Sequence, residues 1–159
     1  MYEFIDRPVT ELDRGSRFLV WSMRSWLLAC GQEHCPAATI GPAFARWRMI
    51  GGLQPFHRTM LILNRNALEK LGFCSLGCNR VSEHEAILIA LVAMIGSGEL
   101  VAARNTLAML VDEDWVGDCL GSLSALAGAM EGNGVLPAAP RPGPASPGTG
   151  DCGRSGRKM

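Results

Sequence analysis

The chain has 159 residues, 48% of them apolar, and a formal net charge of zero. That length suits one domain whose core folds without disulfides or metal, and the apolar share is too high for a disordered chain. The balanced charge argues against a dedicated nucleic-acid binder, which carries a strong basic excess.

Residues 1–9 read as an irregular, charged arm without the apolar segment of a secretory leader, so a cytoplasmic protein is expected. Thr10 is placed to cap a first helix whose body, RFLVWSMRSWLLAC, spaces its apolar residues by three and four. Gly31 is expected to stop it. A loop, QEHCPAATIG, leads to a second helix with Pro42 in its first turn and Gly51-Gly52 at its end. Pro55 is expected to open a third, lined by Phe56, Met60, Leu61, Leu63, Leu68 and Leu71 and closed at Gly72.

Ser82-x-x-Glu85 is a capping box placed directly before an apolar run. The fourth helix therefore starts there and runs to Ile95. It is apolar nearly all round and reads as the central helix. That run is only about half of what a membrane span requires. Ser97 is expected to cap a fifth helix, through Val111 and with Leu100 inward. Asp112 is expected to cap a sixth, carrying Trp115, Leu120, Leu123, Leu126 and Met130. From residue 132 the composition turns to Pro, Gly and Ser, which reads as a disordered tail. The expected fold is all-α: a compact bundle of about six helices with short loops over 10–131, between the arm and the tail.

Charge is split along the chain. Residues 1–80 hold ten Lys/Arg against six Asp/Glu, whereas 81–131 hold one against eight. Either the halves pack with complementary faces or the acidic half meets a basic partner.

Four cysteines form two pairs at helix ends, Cys30 with Cys35 and Cys74 with Cys78. If the pairs converge, four thiolates make a closed tetrahedral zinc site, with His34 or His84 as a substitute ligand. The spacings are looser than a CxxC knuckle, and free cysteine is also an ordinary small core residue. As a thiol-redox pair, Cys74 and Cys78 stand one residue further apart than CxxC. No catalytic residues are assigned, because no nucleophile elbow, phosphate loop or paired-histidine zinc motif is present.

Trp21, Trp26 and Trp47 lie in RFLVWSMRSW and FARWRMI, which interleave arginine with aromatics as interfaces do. Core packing with outward arginines explains the same pattern. If the protein has an interface, these stretches carry it. Together with LNRNALEKLGF and LGCNRVSEHEAILIALV they resemble a family of short, all-helical bacterial proteins classed as a domain of unknown function. The likeness covers residues 5–130. It implies an all-helical cytoplasmic protein and supplies no ligand or catalytic residue. The function expected is a small non-enzymatic protein acting through contact with a protein partner or as a homodimer, with no nucleic acid and no membrane. A zinc-stabilised domain is second and a thiol-redox protein third.

Overall fold

In a computed structural model of the chain, residues 2–138 are described. They form six α-helices: α1 (Arg14–Gly31), α2 (Pro36–Arg46), α3 (Ile50–Asn66), α4 (Glu83–Gly96), α5 (Leu100–Leu107) and α6 (Glu113–Gly132). Two single 3-10 turns, Tyr2–Phe4 and Val9–Glu11, precede them. Among the described residues there is no strand, only isolated bridges at Pro8–Arg80 and Ala67–Val111. None of these helices is long and apolar enough to cross a membrane. The expected all-α bundle is the fold that forms.

Helix α4 is central. It packs against α1, α5, α6 and the first 3-10 turn, while α3 lies along α6 and α2 bridges α1 to α3. Leu88, Ile89, Leu91, Val92 and Ile95 are all buried, as an all-apolar helix requires. Gly52 sits where α3 crosses α6. A Cβ there would stand 3.3 Å from Ala129 Cβ and from Leu126 Cδ1, so the missing side chain lets the helices approach.

The helix ends depart from the sequence reading. Asp13, not Thr10, caps α1: its carboxylate accepts from Ser16 N at 2.9 Å and from Ser16 Oγ at 2.6 Å, while Thr10 lies in a 3-10 turn. Helix α2 starts at Pro36, so Pro42 is internal. Gly51 and Gly52 belong to the first turn of α3, and Pro55 is internal there. Helix α3 stops at Asn66, which leaves Leu68 exposed on a loop. Ser97 closes α4 instead of opening α5, and Leu100 is exposed. The Pro/Gly-rich tail, expected from residue 132, falls outside the described residues from 139 onward. Residues 132–138 are placed, and Val135 and Pro137 are buried.

Four helices stop by one device. The amide beyond the last turn bonds back to a carbonyl five residues earlier, and the residue before it turns left-handed. These amides are His34 to Ala29 O, Met49 to Phe44 O, Glu99 to Met94 O and Val135 to Met130 O, at 2.8–2.9 Å. The turning residues are Glu33, Arg48, Gly98 and Gly134, with φ of +58°, +57°, +82° and +66°. Glycine fills two of these places at no steric cost; Glu33 and Arg48 are held there against it.

Trp26 is completely buried, and its Nε1–H donates to His57 Nδ1 at 2.9 Å, tying α1 to α3. Burial pushes the His57 imidazole below its ordinary value near 6.5. The unfolded chain therefore takes up this proton first as pH falls. The His57 contribution to stability is complete above the ordinary value and is lost as pH drops through it toward the folded one. Urea unfolding is expected to show stability declining from pH 7 to pH 5, and His57→Gln, which keeps an acceptor for Trp26, is expected to flatten that decline. At Gly15 a Cβ would stand 1.8 Å from Val135 O, where the chain leaving α6 crosses α1. Gly15→Ala is expected to cost about 1–3 kcal/mol by urea unfolding, while Gly128→Ala, which meets nothing within 4 Å, is expected to be neutral or stabilising.

Candidate functional site

The loop between α3 and α4, residues 67–82, has no helix or strand of its own. It is pinned at three places. At its start, Leu68 N–H donates to Leu110 O at 2.9 Å and Asp112 N–H to Asn66 O at 3.1 Å. Near its end, the N-terminal arm is laced to it through Asp6 N–H to Val81 O, Val81 N–H to Arg7 O and Val9 N–H to Asn79 O, each at 3.0 Å. The arm is thus ordered, with Phe4 buried.

The third pin is a buried ion pair. Arg24 projects from α1 and Glu85 from the first turn of α4, and their side chains are 3% and 0% exposed. Arg24 Nε donates to Glu85 Oε1 at 2.7 Å and Nη2 to Glu85 Oε2 at 2.9 Å, a bidentate fork. Arg24 Nη1 also donates to Cys78 O, and Nη2 to Arg80 O at 2.7 Å. Glu85 accepts in addition from Cys74 N at 3.3 Å and Ser82 N at 2.9 Å. The hydrogen bond to Glu85 raises the Arg24 pKa further, so the guanidinium stays charged. The capping box read from the sequence is present, since Ser82 Oγ also accepts from Glu85 N at 3.3 Å. What the sequence reading missed is that its carboxylate is half of a salt bridge.

The arginine–aromatic stretches form a second feature. An open groove of about 1230 Å³ lies between α1, the end of α2 and the end of α6, and Arg14, Arg17, Arg46, Arg48, Trp21 and Trp47 line it. No Asp or Glu is among its lining residues. Phe18 forms its floor, with its ring 4.8 Å from Trp47 and 6.3 Å from Trp21. The Arg14 guanidinium lies 5.2 Å over the Trp47 ring, a cation–π contact. The structure thus brings Trp21 and Trp47 to one surface, whereas Trp26, expected beside them at an interface, is in the core.

The two cysteine pairs do not meet. Among the described residues, no three His, Cys, Asp or Glu side chains gather closely enough to hold a metal ion. Cys30 lies six residues beyond Arg24 along α1, about 9 Å of helix rise, and it is Arg24 that fixes the Cys74–Cys78 loop. Cys30, His34 and Cys35 are exposed around the turn between α1 and α2. His84 is engaged locally, its Nδ1 accepting from Gly72 N at 3.0 Å. The zinc reading therefore has no assembled ligand set here. Cys119, buried in α6, has its thiol pushed up to about 12 by desolvation and is chemically quiet.

Compared with family models, curated proteins and solved structures, the chain matches none. Its site must therefore be read from its own geometry.

Removing one partner of the ion pair strands a charge in the core. Glu85→Gln and Arg24→Met are each expected to cost about 3–5 kcal/mol by urea unfolding. The double change Arg24→Met/Glu85→Leu is expected to cost clearly less than the two together, because no charge is then left unpaired.

Proposed function

We propose that this protein is a non-enzymatic docking module whose groove binds an acidic segment of a partner protein. The observation that carries this reading is the concentration of four arginines and two tryptophans around one groove with no lining carboxylate. Aromatic and arginine side chains are those that dominate binding energy at protein interfaces. Trp21 is 38% exposed, leaving apolar area for a side chain from the partner to cover. The backbone at Arg48 supports the same reading. Its left-handed turn would favour glycine, yet it holds an arginine that lines the groove, and strain of this kind gathers at binding sites.

An acidic protein segment fits better than a nucleic acid. The rest of the surface carries the exposed acidic residues of α6, which repel an extended polyanion. The chain itself offers a segment of suitable chemistry in Asp112-Glu113-Asp114-Trp115, where Trp115 is 37% exposed.

The test is titration of the full chain with a fluorescent peptide of that Asp-Glu-Asp-Trp order. Saturable binding that weakens as ionic strength rises past about 0.15 M is expected. Arg46→Glu/Arg48→Glu is expected to weaken it by about tenfold or more. Arg48→Gly is expected to stabilise the fold by about 0.5–1 kcal/mol while weakening the peptide severalfold. Glu33→Gly, which relieves the matching strain at α1, is expected to leave binding unchanged. Absence of saturation, equal binding by the charge-reversed variant, or displacement by a single-stranded oligonucleotide would overturn the reading. Light scattering that shows self-association, lost in the same variant, would make a second copy the occupant.

A further inference from the structure

A second site lies on the other side of Trp21 and is independent of the groove reading. Both cysteines of the Cys74–Cys78 loop hang from the buried ion pair: the Cys74 amide donates to Glu85, and the Cys78 carbonyl accepts from Arg24. Between them the chain makes a tight turn, closed by Cys78 N–H to Ser75 O at 3.0 Å. This fixes two thiols beside each other on one short, otherwise irregular loop, and both are partly exposed. Cys78 opens onto a cleft of about 230 Å³ that Arg17, Trp21 and Arg24 also line.

We propose that Cys74 and Cys78 are a reversible dithiol–disulfide pair, oxidised by thiol–disulfide exchange with a small anionic disulfide that enters the cleft. The Cys78 thiolate attacks one sulfur of that disulfide. A Cys78 mixed disulfide forms, and the first half leaves as a thiolate. Cys74 then gives up its proton to solvent and attacks Cys78 Sγ, expelling the second half as a thiolate. Both released thiolates take up protons from solvent. Two protein thiols are oxidised by two electrons, and the small disulfide is reduced to two thiols. A reducing thiol in excess runs the same steps backward.

The environments of the two sulfurs fit these roles. The Arg80 backbone, and then the neighbouring Cys74 thiol, hold Cys78 below its ordinary value. Desolvation, and then Cys78, hold Cys74 above its own. The more acidic, cleft-facing thiol is the attacking one. Arg17, exposed on the cleft wall, suits a carboxylate of an anionic disulfide such as oxidised glutathione, whereas Arg24 is committed to the ion pair.

The test is done on the full chain with mixtures of reduced and oxidised glutathione, quenched by alkylation and mapped by mass spectrometry. Lys70 and Arg80 bracket a tryptic peptide that holds both cysteines. The expected result is loss of two hydrogens on that peptide, reversed by excess reduced glutathione, and alkylation of Cys78 in the reduced chain about tenfold faster than of Cys30 or Cys35. Cys74→Ser is expected to stop at a glutathione adduct on Cys78. Cys78→Ser is expected to abolish the reaction at Cys74. Thiols that stay reduced in oxidised glutathione, adducts confined to Cys30 and Cys35, or scrambled pairing with those residues would overturn the proposal. The wild-type alkylation rates decide it even if a variant fails to fold.

Discussion

The bidentate bond between Arg24 and Glu85 is the contact on which the irregular half of this protein depends. An arginine and a glutamate that are almost fully buried would be costly apart. Together, each is surrounded by further partners: two backbone carbonyls around Arg24, two backbone amides around Glu85. Those partners all belong to one loop. A single ion pair thus supplies four backbone hydrogen bonds that a sixteen-residue connection would otherwise have to find in water. The N-terminal arm then has a fixed edge on which to lie.

The same helix serves two surfaces. Arg24 and Trp26 face inward, one to the ion pair and one to His57. Trp21 and Arg17 face outward, and both border the groove as well as the cleft beside Cys78. The groove and the dithiol loop are neighbours across one tryptophan, although 54 residues of sequence separate Arg24 from Cys78.

The position of each helix was visible where local chemistry is self-sufficient. The Ser82–Glu85 capping box works within four residues, and the all-apolar run after it needs burial whatever surrounds it. Helix α6 and the interior place of α4 were readable for the same reason. The errors fell where a residue has two local meanings. Glycine ends helices, as Gly31 and Gly96 do for α1 and α4, but Gly52 is instead what a close crossing requires, inside the first turn of α3. Proline opens helices, but Pro42 and Pro55 sit within them. The left-handed ends at Glu33 and Arg48 carry no glycine to announce them.

The candidate sites divide in the same way. The sequence by itself showed that arginine alternates with tryptophan in two stretches and that Cys74 and Cys78 stand close in a loop before a capped helix. Those are properties of short windows. It could not show that α1 and α2 bring the two aromatic stretches to one groove, that Trp26 turns inward while Trp21 does not, or that the Cys30 and Cys74 pairs stay apart. Nor could it show that Arg24, on an ordinary amphipathic helix, finds Glu85 rather than water. Each of these is settled by contacts between residues distant along the chain, and only the packed bundle supplies the low-dielectric interior in which a charge must find its partner.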